Sequence, residues 1–306
     1  MISEESELQE KGANTIADIG GLHGRVPHLS PSTDAESPAA SCSACGGAFL
    51  GTSYVYVIGR IQPRFPRISV DKEFLQAAGR AQTTGLTDAQ ALHAVLSKQE
   101  NRYLVRQLCW ILTVENLETY ILVPRDPADY YLLVDALRAT PSPTDLDVVI
   151  GVRGPIASTE MCNGLLVPII AFDQIYSFDR QTLIKSIPRK GKAQHKVFSA
   201  AAEELLDRIL QLTDNAGVSD AHRALNYLAV RYPGVYAAVV DAHERNRSLS
   251  SVDVRLSPLS GVRRIVDAIF SFTDRTTDVV EKVSVRVDVT DEFPFLVTKL
   301  SPYYDR

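Results

Sequence analysis

Two cysteines three positions apart and followed by glycine, Cys42-Ser-Ala-Cys45-Gly46-Gly47, have the spacing of a metal knuckle. Both thiolates of such a turn can face one ion. A closed structural zinc site needs two further ligands, and the only other cysteines are Cys109 and Cys162. Cys162 lies in Met161-Cys-Asn-Gly164, which reads as a tight turn, and Cys109 lies in an apolar run beside Trp110. A lone cysteine in a strand is more often a small buried hydrophobe than a ligand. Against that, zinc on Cys42, Cys45, Cys109 and Cys162 uses every cysteine of the chain once, and a structural zinc site is the expectation. A redox pair at Cys42 and Cys45 is the weaker reading, because no thioredoxin-like unit surrounds it.

No other constellation of comparable specificity stands out. Gly51-Thr-Ser53 and His23-Gly24 echo the serine and histidine motifs of a subtilisin, but neither pattern continues and His23 sits in a polar lead. A serine protease is therefore excluded, and no catalytic or cofactor-binding residue is assigned. His93, His195, His222 and His243 stand singly, without a second ligand at metal spacing. Gly151-Val-Arg-Gly154 is too short for a phosphate cradle. Should a catalytic site assemble only in the fold, Arg153, Asp173 and Asp179 are the candidates. An arginine near a strand end can grip a carboxylate through its guanidinium fork.

The elements that must position these residues follow from periodicity. Residues 1–41 are polar, with Ser30 to Pro38 almost free of apolar side chains, and read as a disordered linker or tail. Residues 42–190 read as an α+β subdomain. Its strand Tyr54 to Ile58 is aromatic and β-branched, and helices follow from Asp71 and from the cap residue Thr87. A hairpin turns at Glu115-Asn116, a helix starts at Asp126-Pro127, and strands run over 147–150 and 165–172. Pro168 argues that the last of these is an edge or bulged strand. A helix over 179–187 and a basic join at Arg189-Lys-Gly-Lys192 close the unit. Residues 191–306 read as three helices, the second starting at Ser219 or Asp220, and then an antiparallel sheet over 252–300. The fold class is thus α+β, a mixed sheet with flanking helices followed by helices and an antiparallel sheet.

The chain has 306 residues, 45% hydrophobic, with a net charge of -5 and a sequence pI near 5.7. That balance sets up no positive field for nucleic acid. The most apolar stretch, Gly164 to Phe172, is too short to span a bilayer, and the acidic N-terminus lacks the basic and apolar regions of a secretory signal. The expected setting is cytoplasmic and reducing.

From Tyr54-Val-Tyr-Val-Ile-Gly-Arg-Ile-Gln-Pro-Arg-Phe-Pro66 onward the chain resembles the C-terminal region of the cyanobactin maturation proteases, the PatG and PatA family. The likeness includes Arg106-Gln-Leu-Cys-Trp110, Pro124-Arg-Asp-Pro-Ala-Asp129, Arg153-Gly-Pro-Ile156, Glu160-Met-Cys-Asn-Gly164 and Phe172-Asp-Gln-Ile-Tyr-Ser-Phe-Asp179. It resumes at Asp214-Asn-Ala-Gly217, at His222-Arg-Ala-Leu-Asn-Tyr-Leu-Ala-Val-Arg-Tyr-Pro233 and at Glu292-Phe-Pro-Phe to Tyr303. In that family a subtilisin-like domain precedes this region, whose own function is unresolved, and no protease motif is matched here. The resemblance implies an accessory role in ribosomal peptide biosynthesis, with a precursor peptide or a sister enzyme as partner. Because the matching runs include Cys109 and Cys162, it also implies a shared structural site. An unrecognised peptide-modifying enzyme and a domain that supports a homodimer are the alternatives.

Overall fold

The run Tyr54 to Arg64, in which buried and half-buried positions dominate, forms the first strand, β1, in a computed structural model that describes residues 53–81, 83–187, 195–212 and 215–304. The side chains of 195–197 are not described. The expected lead, Cys42, Cys45 and the basic join lie outside the described residues. Helices α1 (Ile68–Arg80), α2 (Asp88–Leu96) and α3 (Arg102–Gln107) follow, and the hairpin of β2 (Cys109–Val114) and β3 (Leu117–Pro124) comes next. Thr87 caps α2 as expected, and Gln90 returns its side chain to the Thr87 N–H in a complete capping box. The hairpin turns on Glu115 and Asn116, both at positive φ, which matches the right-handed strand twist. Then come α4 (Tyr130–Leu137), β4 (Asp145–Ile156), β5 (Pro168–Asp179) and α5 (Arg180–Ser186).

These five strands close into a barrel in the order β1-β2-β3-β5-β4. All neighbours are antiparallel except β3 and β5. The barrel interior is identified by which side chains meet: Val57, Leu112, Leu122, Phe172 and Val149, one from each strand, share a single buried cluster. Only an inward face can bring five strands together. Helices α1 to α4 extend that cluster. Pro168 stands at the first residue of β5, which pairs with β3 on one side and β4 on the other. It is not on an edge, but the β4–β5 ladder is irregular, shifting register between Arg153 and Ile156 beside Pro168 and between Ile150 and Gly151, so of the two expectations the bulged strand is the one observed.

The outward-facing Tyr56, Ile58, Val148 and Ile150 belong to a different cluster, shared with the second half of the chain. That half comprises α6 (His195–Leu210), α7 (Asp220–Arg231), α8 (Gly234–Glu244), and a sheet of β6 (Arg247–Leu256), β7 (Ile265–Asp274), β8 (Val280–Asp288), β9 (Phe295–Leu296) and β10 (Ser301–Pro302). The sheet is antiparallel, ordered β10-β8-β7-β6 with β9 also on β8. The α+β class and the two sheets expected from sequence are as observed. The hydrophobic cluster runs across the join near residue 190, and Leu50–Arg306 form one compact unit. Among the described residues no helix is long and apolar enough to cross a membrane.

One seam ties the halves together. Strand β1 pairs with β4 over Tyr54 to Gly59 but with β2 only from Arg60 on. Its unpaired edge at Tyr56 is completed by the loop before α7. The Tyr56 N–H donates to the Gly217 carbonyl at 2.9 Å, and the Asn226 amide donates to the Tyr56 carbonyl at 2.8 Å. Asn226 and Asn215 also exchange side-chain hydrogen bonds, and Asn215 donates to the Ile209 carbonyl. Gly217 has φ +71°, and a Cβ there would lie 2.6 Å from the Tyr56 carbonyl oxygen. Only glycine tolerates both the backbone angle and the approach.

Candidate functional site

Cys109 opens β2 and Cys162 follows Met161 in the turn that leads to β5, with Cys162, Asn163 and Gly164 all at positive φ. The two sulfurs meet as a disulfide with Cα atoms 5.6 Å apart. The sequence set these two cysteines with Cys42 and Cys45 around one zinc ion; here they bond to each other, and Cys42 and Cys45 lie outside the described residues. Bonded to each other they present no thiolate, so disulfide and zinc are alternative states of the same sulfurs. Among the described residues no group of three or more His, Cys, Asp or Glu side chains has a metal-holding arrangement.

The disulfide lines a cavity of about 640 Å³ between α1, α3, β2, β3 and the Cys162 turn. Arg67, Glu73, Arg106 and Glu160 supply charge of both signs along it, and Trp110 and Leu122 supply apolar surface. The Trp110 indole is fixed by donating to the Val105 carbonyl at 2.9 Å. A second cavity, of about 370 Å³, adjoins it and shares Arg106 and Tyr130. Tyr131, Arg102 and Asp135 lie on its walls, and Tyr131 is 57% exposed. This pair of neighbouring cavities, the groove, carries aromatic side chains and both signs of charge across α1, α3 and α4. Such a surface suits a polar backbone carrying mixed side chains.

A second polar group lies at the opposite junction. Arg125, just past β3, donates to Asp173 of β5 at 2.6 Å and to Glu292 at 3.3 Å. Arg223 of α7, only 2% exposed, donates to the Val289 carbonyl at 2.7 Å and to the Asp291 carbonyl, with its guanidinium 5.5 Å from the Tyr54 ring centre. Burial and the hydrogen-bonded Asp173 carboxylate push the Glu292 carboxyl up to about 7. One oxygen of Glu292 and the Nε of Arg223 are buried without a hydrogen-bond partner. A carboxyl titrating near neutrality can take up or release a proton at working pH.

The other sequence candidates have structural work. Asp179 caps α5, accepting from the Thr182 N–H at 2.8 Å and from the Thr144 hydroxyl, and those bonds hold its carboxyl down at about 2. Arg153 is exposed on β4, where its N–H donates to the Ser53 carbonyl. Of the three, only Asp173 joins a charged cluster. Sequence reasoning missed Arg125, Arg223 and Glu292. The available signal was Arg223 and Asn226 on the buried face of α7 among Ala224, Leu225, Leu228 and Ala229, where a core-facing helix ordinarily carries apolar side chains.

A closed five-stranded barrel backed by helices and a second antiparallel sheet is the architecture of a known domain. The chain superposes on a solved structure titled "PatG Domain of Unknown Function" with a TM-score of 0.67, covering 83% of this chain and 99% of that one at 18% identity. Residues 192–303 match the family described as PatG C-terminal. Residues 192–303 thus match the PatG C-terminal family, and the chain shares the fold of the PatG domain, in line with the resemblance.

Proposed function

We propose that this chain is a non-catalytic accessory domain of cytoplasmic, cyanobactin-like ribosomal peptide biosynthesis that binds a precursor peptide, or a modifying enzyme that carries one. The observation that carries the reading is the pair of neighbouring cavities, of about 370 and 640 Å³, with Arg106 and Tyr130 on the walls of both. Tyrosine, tryptophan and arginine are the residue types that concentrate binding energy at such surfaces. In reduced protein we further propose that Cys109 and Cys162, with Cys42 and Cys45, take up zinc and brace one wall of the groove. Metal analysis of protein purified under reducing conditions tests this. Stoichiometric zinc lost on Cys109→Ser supports it, and sub-stoichiometric zinc removes it.

The competing enzyme reading is favoured by the raised Glu292 carboxyl beside Asp173 and Arg125. Calorimetry and intact-mass spectrometry of precursor peptide incubated with the protein separate the two. Saturable binding with unchanged peptide mass supports the accessory reading. A mass change abolished by Glu292→Gln establishes the enzyme instead.

A further inference from the structure

A third cavity, of about 350 Å³, opens on the outer face of the barrel where β1, β4 and β5 meet α7 and the segment after β8. Three tyrosines, Tyr56, Tyr176 and Tyr227, line it together with Ile150, Pro294 and Arg231. The Tyr56 and Tyr227 rings meet edge to face with centres 6.3 Å apart, and the Arg231 guanidinium lies 4.3 Å from the Tyr176 ring centre. Arg231 lies beside the hydroxyls of both Tyr176 and Tyr56. Tyr56 is 1% exposed, and among the described residues its hydroxyl makes no hydrogen bond of ordinary length, with Arg231 the donor beside it. Leaving such a group unpaired is costly, and native structures seldom do so without a reason.

We propose that this pocket binds a carboxylate attached to a flat or apolar group of side-chain size. Arg231 and the Tyr56 hydroxyl take the carboxylate, and the tyrosine rings with Pro294 enclose the apolar part. One guanidinium and one hydroxyl match a single negative charge, whereas a phosphate dianion calls for more donors. An organic cation is repelled by Arg231. The carboxylate belongs either to a free acid or to the C-terminus of a peptide ending in an apolar residue. This site is separate from the groove and stands or falls independently of it.

Titration of the full chain with N-acetylphenylalanine, with its C-terminal amide and with a short peptide ending in phenylalanine, followed by calorimetry, tests the proposal. The free acid is expected to bind saturably and the amide about tenfold more weakly, the scale of a lost charge-assisted hydrogen bond. Arg231→Met should lose a similar factor. Tyr56→Phe should weaken binding several-fold without lowering the melting temperature of the free protein, which separates a ligand contact from a folding defect. Tighter binding of the peptide acid assigns the site to a C-terminus, and equal binding assigns it to a free acid. Equal affinity for acid and amide, an unchanged Arg231→Met, or no saturable binding in the millimolar range would overturn it.

Discussion

Two sets of buried polar groups differ in whether their hydrogen bonds are complete. Around Gly217, the amides of Asn215 and Asn226 bond to each other, to Ile209 and to the strand edge at Tyr56. At Glu292, at Arg223 and at the Tyr56 side chain, a carboxylate oxygen, a guanidinium nitrogen and a hydroxyl have no hydrogen bond of ordinary length among the described residues. The first cluster replaces water fully and behaves as a structural joint between the halves of the chain. The second retains capacity for a ligand or a proton. Burial of polar groups by itself does not mark a site, whereas incomplete satisfaction of buried groups does.

Substitutions should divide along that line. Gly217→Ala should have the largest effect, since it places a Cβ against the β1 backbone at a positive φ. A loss of about 3 kcal/mol or more is expected, read as a large drop in melting temperature. Asn226→Ala should follow at about 2–3 kcal/mol, because it leaves the Tyr56 carbonyl and Asn215 unpaired in a fully buried place. Loss of less than about 0.5 kcal/mol in either would mean the seam is not the joint described.

The incomplete cluster should instead show itself through pH. Glu292 is raised from its ordinary 4.5 to about 7, so the folded chain holds this proton more tightly than the unfolded chain. Stability is therefore greatest below the lower value, declines as pH rises between the two, and stays reduced above them. Asp147, buried on β4 and pushed up by that burial to about 6, adds a decline of the same sign at the lower end of the window. Asp179, held at about 2, has the opposite sign: its contribution is lost only in acid, outside this window. Melting temperature measured across the range should fall from acid toward neutrality, and Glu292→Gln should flatten the upper part. An unchanged profile in that variant would contradict the raised Glu292 carboxyl. The smallest effect is expected for Tyr56→Phe in free protein, where losing a hydroxyl with no hydrogen bond of ordinary length should leave stability level or raise it by under about 1 kcal/mol.

Much of the framework was legible because it is local. Thr87, Asp179 and Ser219 are caps that bond within three residues of themselves, and the Glu115-Asn116 hairpin joins strands adjacent in sequence. Closure of the barrel was not legible, since it depends on β1 meeting β4 and on a parallel pairing of β3 with β5 that no local pattern encodes. The candidate sites suffer from the same problem. Cys109 and Cys162 were set together as zinc ligands because there were only four cysteines to arrange; their bond to each other depends on β2 meeting the turn before β5, which no local pattern encodes. Asp173 was singled out, but its partners Arg125 and Glu292 come from distant segments brought near by the barrel and the loop after β8. Tyr56 reads in sequence as an ordinary strand aromatic, and only the fold shows that its hydroxyl faces Arg231 across a cavity.

The groove carries a natural reporter, since Trp110 is the single tryptophan of the chain and lies on the wall of the larger cavity. Titration of a precursor peptide into the protein while following tryptophan emission tests peptide binding most directly. A saturable change that is lost in Arg106→Ala is the predicted result. Emission that stays constant while calorimetry registers binding, or no binding by either method, would contradict the assignment of the groove.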